Sequence, residues 1–98
     1  MTEKAFQADV IRVAKMLGWL CYHTFDSRRS ASGFPDLVLV RERILYRELK
    51  VGKNRLSQSQ ELWRDSIMDA GGDWAEWRET DMDDIVDDLS RRPTQANS

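Results

Sequence analysis

The stretch that most constrains this chain runs from residue 33 to residue 50, GFPDLVLVRERILYRELK. Two short apolar runs flank the charged residues 41–43, which is the pattern of two strands joined by a turn. If the strands pair as a hairpin, Asp36 lies roughly level with Glu48 and Lys50, which share one face of their strand because they are two residues apart. Charged groups inside a sheet are costly unless they are paired or bind a ligand. The sequence therefore predicts a ligand site at one end of a small sheet.

Length and cysteine use limit the class of protein. A chain of 98 residues suits one domain, at a size where burial only narrowly outweighs chain entropy, so that dimerisation would add stability. The single cysteine, Cys21, allows neither an internal disulfide nor a Cys–His zinc cluster. No apolar run approaches the ~18 to 20 residues that span a bilayer, and the N-terminus lacks the layout of a signal peptide. We therefore expect a cytoplasmic protein, with residues 1–90 as its domain and residues 91–98 as a polar tail.

Charge is distributed unevenly along the chain. The formal net charge is −2, but residues 1–55 carry eleven Lys or Arg against six Asp or Glu, and residues 56–98 carry four against eleven. Because local potential governs the attraction of a polyanion, the basic half, which contains the candidate site, suits nucleic acid. The acidic C-terminal run has the simpler interpretation of a solvated helix face. Candidate phosphate contacts lie in the loops before and after the hairpin: Arg28, Arg29, Lys53 and Arg55.

Apolar periodicity predicts an α/β fold with the order helix, three strands, helix, strand, helix. The predicted elements are a helix from Thr2 to about Leu17, strands over residues 19–25, 33–51 (the hairpin) and 73–78, a helix capped by Ser57 that runs to about Ala70, and a last helix capped by Thr80 or Asp81. The apolar stripe of the second helix is expected to comprise Leu62, Trp63, Ile67 and Ala70.

Several polar residues have ordinary structural interpretations when they are taken alone. Glu3 is a favourable acid in the first turn of its helix, and Gln7 lies on the same helix face four residues later. Gln60, in the first turn of the second helix, is expected to face solvent. His23 is interpreted as a packed or hydrogen-bonded strand residue, because no His or Cys lies near it.

The hairpin residues have a specific chemistry. Two carboxylates within reach of each other repel unless a cation lies between them, and hard oxygen ligands suit Mg²⁺ or Mn²⁺. A divalent ion held by Asp36, Glu48 and the backbone carbonyl of Leu49 would keep several waters, one of which is a candidate nucleophile. Lys50 could orient that water or neutralise the charge that develops on phosphorus.

These residues resemble a known family. Pro35 and Asp36, followed on the next strand by Glu48 and Lys50 with one residue between them, match the motif of the PD-(D/E)xK nuclease superfamily. Over about residues 3 to 86 the chain resembles the VRR-Nuc (virus-type replication-repair nuclease) family. The short charged hairpin turn departs from the Gly-rich turn of many relatives. The features that carry the resemblance are Glu3, Gln7, Gly18-Trp19, GFPDLVLV, ELKVGKNRLSQSQ, Trp63 and Ala70-Gly71-Gly72.

The resemblance implies a compact restriction-endonuclease-like α-β-β-β-α-β core, with a small mixed central sheet flanked by helices. It implies Mg²⁺- or Mn²⁺-dependent hydrolysis of DNA phosphodiesters, with Lys50 as the catalytic lysine. Gln60 would line the site or contact a phosphate, and Gln7 would contact DNA. Stand-alone relatives are similar to Holliday-junction resolvases in forming homodimers, so the resemblance implies a homodimer, branched DNA and a phage or prophage source. The implied metal ligands are Asp36, Glu48, Leu49 and Glu3, the last directly or through water.

Three alternatives remain open at this point. A sequence-specific or nicking nuclease would use the same site. A non-catalytic DNA-binding module would keep the fold and lack a carboxylate or the lysine, yet Asp36, Glu48 and Lys50 are all present. A purely structural protein would use these three residues as an ion-pair cluster, so that alanine at Asp36 or Glu48 would destabilise the fold. The metal-site hypothesis predicts instead that metal-free stability is unchanged or improved.

Overall fold

A computed structural model of the protein describes residues 1–24 and 31–93. Its elements follow the predicted order, although the first strand is shorter than expected, and Arg28, Arg29 and Phe25 lie outside the described residues. None of the helices in the described part of the chain is long and apolar enough to cross a bilayer. The domain boundary at residue 90 and the cytoplasmic location stay predictions. The elements are α1 (Glu3–Met16), β1 (Leu20–His23), β2 (Leu37–Val40), β3 (Ile44–Lys50), α2 (Gln58–Asp69), β4 (Asp73–Arg78) and α3 (Met82–Ser90).

The four strands form one mixed sheet in the order β1-β2-β3-β4. Strands β1, β2 and β3 pair antiparallel, whereas β4 runs parallel to β3. A parallel pair needs a crossover connection, and α2 supplies it. This four-stranded sheet with three helices is the α/β architecture that the sequence predicted.

Helices α1 and α3 cover one face of the sheet and enclose the core. Side chains alternate along β3, so Leu45 and Leu49 enter this core while Glu48 and Lys50 project from the opposite face. Thr2 caps the N-terminus of α1, and its hydroxyl accepts a hydrogen bond from the Ala5 N–H at 3.1 Å. The buried apolar residues are Phe6, Val10, Ala14, Trp19, Leu37, Leu39, Leu45, Leu49, Trp77, Ile85 and Leu89.

Helix α2 lies on the other face of the sheet, and its predicted apolar stripe is partly wrong. Leu62 is 66% exposed, and Ala70 is also exposed. Trp63, Ile67 and the exposed Ala70 line a small apolar pocket with Tyr46 of the sheet, so the stripe is wrong at Leu62. The physical reason is that α2 packs over the β3–β4 half of this face and not over the other half. A narrow apolar stripe on the helix is enough to cover that area.

Arg41, in the hairpin turn, joins the ends of two helices. Its Nη1 atom donates to the carbonyl oxygens of Leu17 at 2.9 Å and Leu89 at 3.1 Å, which lie at the C-terminal ends of α1 and α3. Its guanidinium also lies 4.4 Å from the ring centroid of Trp19, whose Nε1 donates to the same Leu89 oxygen. The short charged turn therefore ties α1, α3 and the sheet together.

Arg47 is a buried charge that sequence patterning did not predict. It is 2% exposed and forms ion pairs with Asp73 at 3.0 Å and Asp88 at 3.4 Å. Burial opposes ionisation of Asp88, but the hydrogen bond from Arg43 and the charge of Arg47 hold the pKa of Asp88 below its ordinary value. The expectation of a simply solvated acidic helix face is wrong at Asp88, because a buried arginine needs a partner.

Candidate active site

Asp36 stands immediately before β2, where the chain enters the sheet. The antiparallel register pairs Leu37 with Arg47, so Asp36 lies level with Glu48 across the hairpin. The Oδ2 atom of Asp36 accepts a hydrogen bond from the backbone N–H of Leu49 at 2.8 Å. This bond anchors the Asp36 carboxyl beside Glu48.

The segment before β2 is attached to the first turn of α2. Gly33 has φ +87°, and a Cβ at this position would collide with the backbone of Ser59, so only glycine allows the close approach. The ring of Phe34 packs edge-on against Trp63 with centroids 5.1 Å apart. Trp63 Nε1 also donates to the carbonyl oxygen of Ser32 at 3.0 Å. These contacts set the position of the chain that leads into the candidate site.

Glu48 is a buried carboxyl with a second carboxyl beside it. It is 2% exposed, and burial, together with the charge of Asp36 and a hydrogen bond between the two carboxyl groups, raises its pKa to about 9. The charge of Glu3 adds to the rise and that of Lys50 opposes it. Lys50 Nζ lies 4.0 Å from Glu48 Oε2, and the lysine side chain is 11% exposed. The two acids and the ammonium thus meet at the end of β3, on the face opposite the core.

Gln60 faces this cluster, so the expectation of a solvent-facing glutamine is wrong. Its Nε2 donates to Glu48 Oε2 at 3.0 Å. Its Oε1 accepts from the backbone N–H of Ser57 at 2.8 Å while the Ser57 hydroxyl accepts from the Gln60 N–H, which forms a capping box. The cap orients the amide, and the amide in turn holds the buried Glu48 carboxyl.

The residues expected from α1 occupy two different environments. Glu3 is half-buried in the first turn, near enough for its charge to act on Glu48. Gln7, one turn later, lies beside β1, where its Nε2 is 3.4 Å from His23 Nδ1. His23 pairs with Leu37 in the sheet, so this contact borders the candidate site without entering it.

Two of the four basic residues expected to contact DNA lie in the described part of the chain. Lys53 and Arg55 are exposed in the loop after β3. Arg78 holds this loop by donating to the carbonyl oxygens of Gly52 at 3.0 Å and Asn54 at 2.6 Å. The arginines at positions 28 and 29 fall outside the described residues, so their roles stay predictions.

Comparison with known families identifies the chain. The model of the VRR-NUC domain matches residues 4–80. The chain belongs to the VRR-NUC family. Neither the search of curated proteins nor the search of solved structures found a match. Family membership indicates a nuclease, and hence an enzyme that binds DNA.

The donor atoms of the VRR-NUC site fit a hard divalent cation. Across residues 1–24 and 31–93, no group of three or more His, Cys, Asp or Glu side chains is arranged to hold a metal ion. Asp36 and Glu48 nevertheless lie side by side: burial, and then the charge of Asp36, raises the pKa of Glu48, and a cation between the two carboxyls would favour their ionised forms. Mg²⁺ commonly uses only one or two protein carboxylates and keeps several waters. Such a pair is therefore sufficient for this class of ion.

The VRR-NUC sheet also brings two residues to the site that sequence patterning missed. The parallel register sets Glu76 beside Glu48 and Arg78 beside Lys50. Glu76 and Arg78 form an ion pair at 2.6 Å. The spacing of Glu76 and Arg78, two residues apart in the strand DWAEWR, indicated that they share a face. It could not indicate that they lie beside Glu48 and Lys50, because tertiary packing sets the register of two parallel strands joined through a helix.

Proposed function

We propose that this VRR-NUC protein is an endonuclease that hydrolyses DNA phosphodiesters with Mg²⁺ or Mn²⁺. The ion would be held by Asp36 and Glu48, with the Leu49 carbonyl and Glu3 as further ligands. The observation that carries the proposal is the pair of adjacent carboxyls, Glu48 buried and Asp36 half-buried, with an ammonium 4.0 Å from Glu48.

A bound divalent ion would lower the pKa of a water and polarise a phosphodiester oxygen. Neighbouring residues of the chain hold both carboxyls in position for the ion. Asp36 is held by the Leu49 N–H and Glu48 by Gln60, so both carboxyls are oriented before DNA arrives. Lys50 has little exposure to solvent, so its ammonium acts on developing phosphate charge in a medium less polar than water.

The same proposal includes a homodimer, and the free half of the sheet supplies a face for it. Because α2 covers the β3–β4 half, apolar residues of β1, β2 and the start of β3 are left uncovered. Leu20 is 74% exposed, Tyr22 58% and Ile44 49%, and the register places Leu20 beside Val40, which in turn pairs with Ile44. A contiguous apolar face of this kind marks an association site. A second copy packing there would place two candidate active sites in one particle.

Replacing Tyr22 by glutamate is expected to separate this dimer, because a charge at the centre of the apolar face would be desolvated on association. Sedimentation of the wild type should give twice the chain mass of 11.5 kDa, and the variant should sediment as the single chain. Met16→Glu, at a residue of α1 that is 79% exposed, is the matched control and should remain dimeric. Wild-type particles of single-chain mass at micromolar concentration would contradict the dimer.

Cleavage of defined DNA substrates tests the activity itself. Four-way junction, flap, nicked, single-stranded and linear duplex DNA would each be incubated with Mg²⁺, Mn²⁺ or EDTA. We expect cleavage only with metal, and faster cleavage of the branched substrates, because a dimer sets two sites at a fixed spacing. Equal cleavage of all substrates would contradict structure selectivity. Binding without cleavage under either metal would instead support a non-catalytic module.

A further inference from the structure

The side of α1 that faces β1 forms one wall of an open groove of about 500 Å³. Its described lining includes three cations and contains no Asp or Glu. Positive charge is therefore concentrated in a concave surface outside the carboxyl cluster. The residues that line this α1–β1 groove are Lys4, Gln7, Ala8, Ile11, Arg12, Lys15 and His23.

The groove runs along the helix rather than across it. Lys4, Ala8, Ile11 and Lys15 follow one another at helical spacing and so share a face of α1. With a rise of ~1.5 Å per residue, the backbone positions of Lys4 and Lys15 are roughly 16 Å apart. One strand of duplex DNA presents a phosphate every ~3.4 Å of axis, so this distance corresponds to roughly five phosphates.

One end of the groove lies near the candidate active site. Lys4 follows Glu3 in the chain, and the contact between Gln7 and His23 lies at the end of β1 that is nearest Asp36. The other end is at Lys15. Burial raises the pKa of the Cys21 thiol in β1, and the charge of Lys15 opposes that rise, which places the ammonium near the strand.

We propose that the α1–β1 groove binds the phosphate backbone of DNA on one side of the bond that the candidate active site cuts. This inference rests on the proposed function and adds the path of the substrate. The strand would run along Lys15 and Lys4, pass Asp36 and Glu48, and leave past the cationic loop at residues 52–55. A nucleic-acid strand fits this groove because its phosphates recur along its length, as the cations do along the helix that leads to the proposed site.

Lys4 and Lys15 supply most of this attraction, because Arg12 is already engaged. Arg12 Nη2 lies 3.0 Å from Asp9 Oδ1 in an exposed ion pair. Replacing Asp9 by asparagine would release the guanidinium and remove a negative charge from the groove's edge. The proposal therefore predicts that lysine substitutions weaken DNA binding and that Asp9→Asn strengthens it.

The test is the salt dependence of binding to a fluorescent linear duplex, measured in EDTA so that no strand is cut. Lys4→Gln and Lys15→Gln should each lower the slope of log K against log salt by about 0.9, and the double variant by about twice that amount. Arg92→Gln removes a 67% exposed cation that lies just after α3 and pairs with Glu42 in the hairpin turn at 3.7 Å, outside the groove lining, and should leave the slope unchanged. Asp9→Asn should tighten binding several-fold, whereas Asp84→Asn, on the exposed side of α3, should not.

Unchanged slopes in both lysine variants, or an equal change in Arg92→Gln, would overturn the groove. Circular dichroism would verify that each variant is folded. Cleavage by the wild type in Mg²⁺, measured in parallel, separates this inference from the proposed function. Slopes that fall as expected without any cleavage support the groove and refute the nuclease chemistry, whereas a wild type that binds no DNA overturns both.

Discussion

Replacing Lys50 by methionine is expected to lower the rate of DNA cleavage by about three orders of magnitude, which corresponds to about 4 kcal/mol of lost transition-state stabilisation. The ammonium lies 4.0 Å from Glu48 Oε2 and is largely screened from solvent, so water cannot readily replace its charge. Methionine has a similar length and suits a buried strand position. The fold should therefore persist without the charge.

Single-turnover cleavage at saturating protein would measure this loss apart from any change in binding. Arg92→Met is the matched control, because it removes one exposed cation far along the chain from the carboxyls. It should cut DNA at the wild-type rate. A loss of less than about tenfold in Lys50→Met, when the cost of one positioned charge is expected to be several kcal/mol, would remove Lys50 from the mechanism.

The second large effect concerns stability without metal. Glu48 has a pKa of about 9 in the folded protein against an ordinary value of 4.5, so the folded state retains a proton that the unfolded state loses. The stability that comes from neutral Glu48 is complete below pH 4.5 and is lost progressively as the pH rises towards 9. The free energy of unfolding in EDTA should therefore fall by about 2 to 3 kcal/mol between pH 5 and pH 7.

Glu48→Gln is expected to abolish this fall, because glutamine is neutral at every pH. Urea unfolding in EDTA at pH 5 and pH 7 would measure both proteins. At pH 7 the variant should be at least as stable as the wild type. A variant that keeps the wild-type pH dependence, or is strongly destabilised at pH 7, would favour the structural ion-pair hypothesis.

Metal addition completes the comparison. Millimolar Mg²⁺ at pH 7 should raise the Tm of the wild type, because the cation binds the folded state and favours the ionised pair, and should raise that of Glu48→Gln much less. Alanine at Asp36 is a poor test of the alternatives, since it would also remove the acceptor of the Leu49 N–H. Asp36→Asn keeps an acceptor oxygen there.

Two other acids, Glu42 and Asp88, titrate below the pH range of this experiment. The hydrogen bond from Arg41 lowers the pKa of Glu42 from 4.5 to about 2, so its contribution to stability is lost progressively as the pH falls from 4.5 to about 2. The pKa of Asp88 is also below its ordinary value. Both carboxylates stay ionised between pH 5 and pH 7, so they add no slope to the unfolding measurement.

The order of elements and the hairpin follow from the amino-acid sequence alone. Alternation along residues 37–40 and 44–50, with three charged residues between them, leaves one register that buries Leu37, Leu39 and Leu45 on the same face. A slip by one residue would turn the whole apolar set to solvent. For that reason the pattern of apolar residues is enough to place Asp36 level with Glu48.

Tertiary packing, in contrast, determines which surfaces of the later elements face the site. Gln60 has the pattern of an exposed first-turn residue, and it turns towards Glu48 because Gly33 lets α2 approach the hairpin. The buried Arg47 and its partner Asp88 are far apart in the chain, and the register of β4 depends on how α2 crosses the sheet. Local periodicity reports which residues share a face of one element, whereas contacts between distant elements depend on how those faces pack together.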